Sequence, residues 1–570
     1  MPEKKIKLFI VYAVFLAAAA AIAYEILGAS ALTNLLGASI FYFSLTIGIF
    51  LAALGVGSWL SSKIKNDLLE KLVLIEIILA FLGGGLSTFI FGSYAVVFEL
   101  MRKISFYGIS GFLLGLGLAE LIFLFLAFAL IFIVGVLIGF ELPLFSRILA
   151  SREDLKDALG KIFFWDYAGA LVASISLPVI FFTVFGLIKT SFLIGMINLV
   201  AALMLILIMH LEKIPVKPIL ISGLIAAFSI NLLGFLISDK IELFLEKKQY
   251  GDRQILFHQN SPYQRFSLVK ANDGKISLYI NGQRQFESGD WDAAYHETFV
   301  HPAMSLAKNR QKILVLGGGD GLALREILKY SDVNQVILVD IDRAIVDASS
   351  NLDFMKKLNN SAFSDPRVKV VIDDAFKFVE KERGSAIYNL IFVDFPDPTD
   401  DSLSRLYSKE FYLALENILA KDGMAVIQSG GYLTEGQKTI ITTLESIGLK
   451  TLVFHPPEYN LFDQNFGFTL VSREKIWREQ FKDLEVSAPT KIFQKNDYDL
   501  SKIFSVELIP KETGAPKVNS LFHPSIVANQ GDAFIQHYLE SQPREKILAQ
   551  IKLPEQEIYS QFQEMFYKAY

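Results

Sequence analysis

The chain has 570 residues, 59 acidic against 54 basic, a formal net charge of -5 and no cysteine. That length exceeds one ordinary domain of roughly 100–200 residues, the near-balanced charge gives no nucleic-acid surface, and the missing thiols exclude disulfides, thiolate metal sites and a cysteine nucleophile. A mean hydropathy of +0.40 with 52% hydrophobic residues exceeds the apolar share of soluble domains, and the excess lies before about residue 240.

A bilayer core about 30 Å thick takes about 20 apolar helical residues. Runs of that kind lie at 8–31, 36–60, 72–98, 162–185, 192–211 and 219–237. Residues 104–144 form another run whose only charges are Glu120 and Glu141; it suits one long span or two short ones, for a total of seven or eight. The basic start Lys4, Lys5, Lys7 is that of a signal peptide, but the apolar run behind it is longer than a typical signal core, which predicts a retained anchor. Basic residues at 4–7, 63–65, 147–161 and 213–217 are cytoplasmic by the positive-inside rule, with the N-terminus inside. Glu25, Glu76, Glu120, Glu141 and Asp166 lie within apolar runs, where carboxylates are expensive; each is either functional or paired with a headgroup or neighbouring helix. Gly55, Gly57 and Gly83 to Gly85 suit close helix packing. Residues 1–240 thus read as an all-α multi-pass membrane domain whose partner is the lipid bilayer.

After residue 240 charges return every turn or two. Runs at 264–270 and 276–281, ending in Asn281-Gly282, predict antiparallel hairpins and a small β-rich substrate-binding subdomain over 241–310. From 311 to 473 strands at 313–316, 335–340, 368–372, 389–393 and 424–428 alternate with helices, among them 322–329 and 344–351. That alternation predicts a Rossmann-like α/β domain with a mostly parallel sheet and ligands at the strands' carboxyl ends. Residues 474–570 have a mixed amphipathic pattern and no legible motif.

Gly317-Gly318-Gly319-Asp320-Gly321 lies directly after a strand and directly before a helix. Glycines there allow a tight turn and close approach of backbone to ligand. Asp340 ends the next strand, where a carboxylate can bind both ribose hydroxyls. A dinucleotide fingerprint needs glycine at 322, where Leu322 stands, so an S-adenosylmethionine-type ligand fits better than NAD. Asp373-Asp374 follows the third strand and suits either an adenine amino group or a solvated loop. Asp394 and Asp397, spaced by Phe395-Pro396, make a rigid acidic site at the end of the fourth.

These residues resemble the spermidine synthases, the aminopropyltransferases, over residues 249–473. The matching pieces are Ser261-Pro262-Tyr263-Gln264, Tyr295-His296-Glu297, Gly317 to Gly321 with Leu324-Arg325-Glu326, Asp340-Ile341-Asp342, Asp365-Pro366-Arg367-Val368, Asp394 with Asp397-Pro398, Gln428-Ser429 and Gly467-Phe468. The apolar N-terminal half is similar to that of membrane-anchored members. The resemblance implies an S-adenosylmethionine-methyltransferase-like fold, decarboxylated S-adenosylmethionine as co-substrate with no permanent cofactor or metal, and putrescine or a related amine as acceptor. It further implies that Asp320 and Gln264 hold the aminopropyl end, with Gly317 and Gly319 in the cofactor loop, Asp340 at the ribose and Asp373-Asp374 at the adenine. Asp394 becomes the base, Asp397 and Tyr295 orient the amine, and Gln428 lines its pocket, while His296 lies beside that contact. Two departures touch the acceptor pocket: Phe395-Pro396 replaces a serine pair, and Leu461 replaces a tyrosine for which Tyr459 is a nearby substitute.

The co-substrate is cytosolic, so the catalytic half of a cell-membrane protein is expected in the cytoplasm; with the N-terminus inside, this requires eight spans and a divided 104–144 run. Two other readings stay open: a methyltransferase using intact S-adenosylmethionine, and a non-catalytic polyamine transporter or sensor. The oligomeric state is open, a homo-oligomer included.

Overall fold

Every long apolar run in the first 250 residues forms helix in the computed structural model of the chain. The structure describes residues 2–493 apart from 37–38, 106, 251–252, 385–386, 399–400, 432–434, 457–465, 482–483 and 485, and beyond these 503–504, 517–522, 525–526 and 550–551. Two units separate, Met1–Phe106 with Ser110–Gly251, and Asp252–Tyr570 with Tyr107–Ile109.

The first unit contains α1 (Pro2–Leu36), α2 (Ser39–Ser61), α3 (Leu68–Gly84), α4 (Leu86–Met101), α5 (Gly108–Gly139), α6 (Glu141–Ala150), α7 (Leu155–Ser176), α8 (Phe182–Leu211) and α9 (Pro218–Tyr250). α3 and α4 are halves of one helix bent by 43°. The 104–144 run does not divide as the eight-span expectation requires: α5 is one helix of 32 residues, about 48 Å at 1.5 Å per residue, and the apolar stretch Leu114–Ala150 is continuous. Its glycines weaken a helix by only about 1 kcal/mol each, too little to break one this long.

α7 runs through a π turn at Leu177–Phe181 into α8, where Gly186 leaves helical geometry at φ 69°, ψ 179°. Arg152 and Glu212, flanking this 57-residue run, are ion-paired, so the chain folds back at Gly186. Five helices are long and apolar enough to cross a membrane and the bent pair makes a sixth; the fold-back makes seven among the described residues. Lys7–Glu153 at 3.2 Å, Lys217–Glu70 at 2.6 Å and Arg152–Glu212 gather the N-terminus and the loops after α2, α6 and α8 on one face. On the other, Arg102 donates to the Lys248 carbonyl at 2.8 Å and Lys189 meets Asp239 at 3.1 Å. α9 therefore ends on the face opposite the N-terminus.

Small residues bring α2 and α5 together. A side chain on Gly57 would run into the Val136 carbonyl and one on Gly139 into that of Leu54, whereas Gly55 faces open space. Two of the acids in the apolar runs have partners on neighbouring helices: Asn198, itself accepting from Tyr24 at 2.5 Å, donates to Glu76 at 2.7 Å, and Tyr42 donates to Glu120 at 3.2 Å. Glu141 is buried, while Glu25 and Asp166 are half-buried.

Residues 241–250, expected to open the β-rich segment, instead continue α9. In the second unit β1 (Gln254–Asn260), β2 (Arg265–Lys270), β3 (Ile276–Ile280) and β4 (Gln283–Glu287) form an antiparallel sheet in sequential order, β3 and β4 joined by the Asn281-Gly282 turn with φ of 48° and 83°. α10 (Asp290–Leu306) leads to β5 (Lys312–Gly317), α11 (Leu322–Ile327), β6 (Gln335–Asp340), α12 (Arg343–Asn351), α13 (Asp353–Leu358), β7 (Val368–Ile372), α14 (Ala375–Lys381), β8 (Tyr388–Asp394), α15 (Asp401–Ser404), α16 (Lys409–Ile418), β9 (Leu419–Gln428), α17 (Glu435–Glu445), β10 (Lys450–Phe454) and β11 (Phe468–Ser472). The sheet order is β10-β11-β9-β8-β5-β6-β7, with β11 antiparallel to both neighbours and the rest parallel. Its central strands are apolar on both faces. Phe299, Leu338, Phe392 and Phe468 build the core on one side, Ile391, Phe411, Leu415 and Ile440 that on the other. The chain leaves β5 toward β6 and returns at β8 on its other side, so the crevice between the two carboxyl ends is the switch point where such sheets bind ligands.

Overpacking costs about 1–3 kcal/mol, so Gly57→Ala should lower the melting temperature of the purified protein in detergent while Gly55→Ala leaves it nearly unchanged. Equal melting temperatures would remove the α2–α5 contact as a constraint.

Candidate active site

The crevice starts from a backbone contact. Gly317 lies opposite Asp394 in the β5–β8 ladder with φ of +80°, and a side chain on it would collide with the Asp394 carbonyl. Glycine alone meets both conditions. The loop then closes through Gly321 N–H to Gly318 O at 2.9 Å, and Asp320 accepts from Leu322 N–H at 2.8 Å, starting α11. Asp340, at the tip of β6, accepts from Gly319 N–H at 3.0 Å and Asp342 N–H at 2.8 Å. Burial pushes Asp340 up to about 6, with the nearby Asp342 and Asp320 carboxylates adding to it against those two backbone bonds.

Across the crevice, Tyr295 on α10 donates to Asp394 at 2.7 Å, its ring set against Trp291, Phe466 and Phe468 at 5.7, 5.0 and 5.1 Å. Desolvation raises Asp394 to about 6, the Asp320 charge adds to this, and His296 and the Tyr295 bond work against it. Desolvation also raises Asp397, opposed by Gln428, whose amide donates to it at 2.8 Å. Both aspartates keep part of their surface open. Tyr407 closes the floor: its hydroxyl lies 3.0 Å from the Pro396 carbonyl and 3.3 Å from the Phe395 carbonyl and the Gln428 Oε1.

The structure thus brings Gly317, Gly319, Asp320, Asp340, Asp394, Asp397, Tyr295 and Gln428 to one end of the sheet. Gln264 reaches the same end from the hairpin sheet, but its amide donates to Asp342 at 2.9 Å. Asp374 has both oxygens engaged: one accepts from Phe376 and Lys377 N–H at the start of α14, the other is paired with Arg405. Asp373 accepts from Asp374 N–H at 2.8 Å. Tyr459 and Leu461 lie outside the described residues. His296 faces Asp292 at 2.7 Å, and Arg325 grips the same carboxylate at 2.9 and 3.0 Å. Burial opposes the imidazolium, yet Asp292 and the crevice carboxylates raise His296 above its ordinary value. Asp292, Arg405 and Tyr407 carry no signal in the sequence; Arg325 stands in the Leu324-Arg325-Glu326 piece of the resemblance, and the structure gives it a role, holding Asp292.

A family described as the spermine/spermidine synthase domain matches residues 292–457. The polyamine aminopropyltransferase of Leptospira interrogans is 33% identical over 429 residues, 75% of this chain and 79% of that protein. That of Oceanobacillus iheyensis is 34% identical over 425 residues, 73% of this chain and 76% of the relative. Both alignments are longer than residues 252–570, so the likeness reaches into the helical unit. A solved spermidine synthase in complex with the transition-state analogue AdoDATO is similar at 23% identity and a TM-score of 0.39, covering 44% of this chain and 85% of the other.

Because the tyrosine hydroxyl holds the Asp394 carboxylate in its charged form, Tyr295→Phe should move the Asp394 titration upward from about 6. Isotope-edited infrared titration of the aspartate carboxyls checks this; an unmoved or lowered value would show that the hydroxyl does not bear on Asp394.

Proposed function

The chain belongs to the polyamine aminopropyltransferase family, and from that premise we propose that it transfers the aminopropyl group of decarboxylated S-adenosylmethionine to putrescine, giving spermidine and 5'-methylthioadenosine. Membership sets aside the methyltransferase and non-catalytic readings. The observation that carries the finer assignment is the pair of carboxylates ending β8, Asp394 on Tyr295 and Asp397 on Gln428. A diamine has two nitrogens that need different treatment, and these two acids have different partners.

The donor carries a positive sulfur whose aminopropyl carbon is open to in-line attack. An amine with a pKa near 10.4 is almost wholly protonated at neutral pH. Asp394 takes a proton from the attacking nitrogen, a role worth about 10² to 10⁴-fold. The nitrogen lone pair forms the new C–N bond, and the C–S electrons return to sulfur, leaving a neutral thioether. Asp397 holds the distal ammonium, and its bond from Gln428 fixes the direction of that hold. Asp340 takes the ribose, Asp320 and Gln264 the aminopropyl end, and the Asp373-Asp374 pair the adenine. An adenine amino group reaches the second oxygen of Asp374 only by taking the place of Arg405.

The helical unit, we further propose, crosses the cell membrane seven times. With α9 ending opposite the N-terminus, the two ends of the unit lie on opposite sides. Basic residues on the N-terminal face favour a cytoplasmic location for that face, while a donor made in the cytosol requires the catalytic unit there. We place the catalytic unit in the cytoplasm, since a transferase cut off from its donor has no reaction.

Asp394→Asn should lower kcat by about 10² or more with little change in 5'-methylthioadenosine affinity, and near-normal turnover would remove the base. Asp397→Asn should raise KM for putrescine far more than for butylamine; equal losses would show that it does not read a distal charge. In this cysteine-free chain, Lys308→Cys should resist an impermeant thiol reagent in intact cells while Lys65→Cys reacts. The reverse pattern would put the catalytic unit outside, and identical labelling would refute an odd number of crossings.

A further inference from the structure

We infer that Asn519, in the extension beyond the matched family domain, is a positioning residue for the acceptor-amine pocket, acting through Tyr407. The inference rests on the reading of Asp397 as the anchor for the distal ammonium.

Asn519 has no exposed surface and has partners for each polar group of its backbone and side chain. Its backbone carbonyl accepts from Lys409 N–H at 2.9 Å and its N–H donates to Thr443 Oγ1 at 2.9 Å. The side-chain NH2 donates to the carbonyls of Ser404 at 2.9 Å and Tyr407 at 3.1 Å. Its oxygen accepts from Ser404 Oγ at 3.2 Å and Ser525 N–H at 3.0 Å. Two carbonyls on one side and two donors on the other leave a single orientation for the amide.

Those two carbonyls belong to a weak piece of backbone. α15 has four residues and passes into a single 3-10 turn, Arg405–Tyr407, before Ser408 starts α16 by accepting from Phe411 N–H. Ser404 caps the 3-10 turn, so its carbonyl takes the turn's own first bond as well as that from Asn519, whereas Tyr407 ends the turn and its carbonyl has no donor within it; a buried carbonyl without a partner costs about 1–3 kcal/mol. Asn519 supplies that missing partner and ties both ends of the turn together. The turn carries Tyr407, whose hydroxyl lies among the Phe395 and Pro396 carbonyls and the Gln428 amide oxygen, and Gln428 donates in turn to Asp397. The relay from Asn519 ends on the acid that reads the second charge of a diamine. None of these bonds reaches Asp320 or Asp340 on the donor side.

Asn519→Asp tests this in the full-length protein, because it keeps the shape and the accepting oxygen but turns a second oxygen toward the two carbonyls. It should raise KM for putrescine about tenfold, with KM for butylamine and affinity for 5'-methylthioadenosine changed less than about threefold. Tyr407→Phe, which deletes one hydroxyl inside a packed core, should show the same selectivity, and the double variant should be no worse than the more impaired single one. Equal effects on both amines, additive effects in the double variant, or a Tyr407→Phe enzyme with unchanged KM for putrescine would each overturn the relay; the last applies even if Asn519→Asp fails to fold. Asp397→Asn measured alongside separates the two levels. If it does not discriminate between the amines, the anchor reading fails; if it does and Asn519→Asp does not, only the positioning role fails.

Discussion

Gly317 and Asp394 face each other across the β5–β8 ladder with no room for a side chain between them, and the site is arranged around that contact. Since β5 sits between β6 and β8, fixing its last residue against Asp394 also fixes the glycine loop, which in turn binds Asp340 through Gly319 N–H. The donor-side acid and the proposed base are thus set by two adjacent strand ends of a buried sheet. A loop could not hold them so closely, because loops lack the packing that locks a strand on both faces.

Such close placement makes the crevice electrostatically unfavourable when empty. Asp340 and Asp394 are each pushed from 3.8 to about 6 by burial and by neighbouring carboxylates. A carboxyl raised in the fold contributes stability that is fully present below its unfolded value and lost as pH rises through the folded one. Across roughly pH 4 to 6, then, folding loses support from these two groups, and at neutral pH the protein carries them as anions at a cost. Glu326 behaves in the opposite sense: although burial opposes it, His301 and Arg325 hold it down to about 2, so its contribution is present above its unfolded value of 4.5 and is lost only as pH falls toward 2. Glu326 is thus paired with Arg325 and His301, whereas the hydrogen bonds to Asp340 and Asp394 come from uncharged donors. Cationic ligands would relieve the charge on these two acids when they bind.

The catalytic half was legible because its signals are local. An apolar strand, a glycine loop and an acid at the next strand end occupy consecutive segments, and the structure puts them where the alternation of strand and helix placed them. The helical half was harder, because hydrophobicity marks where apolar runs lie and says little about where a helix turns. Residues 108–139 of the 104–144 run hold nothing that forces a break and form one helix, while the turn near the start of α8 depends on the backbone of one residue, Gly186. The glycines misled in the same way: Gly57 and Gly55 look alike in sequence, yet only Gly57 faces the Val136 carbonyl. Which face of an apolar helix meets another is set by partners far away in the chain.

The same physics explains why the extension after residue 473 gave no motif. Apart from the 3-10 turn Arg478–Phe481, its described parts supply single groups to the catalytic unit. Lys491 and Ile492 donate their N–H groups to Glu297 at 2.7 Å each, two residues from Tyr295, and Asn519 meets the carbonyls of Ser404 and Tyr407. Each contact completes hydrogen bonding that the catalytic unit leaves open, and it does so beside a tyrosine of the crevice. Completing a partner's bonds requires one residue at one place, so it leaves no pattern along the sequence. The signal lay on the receiving side, in Glu297, a carboxylate whose neighbour His296 is paired with Asp292 instead, and in a short turn whose last carbonyl has no helix to satisfy it. A buried polar group without a local partner implies a distant one, and for this chain three such partners, Lys491, Ile492 and Asn519, come from the segment that sequence alone left blank.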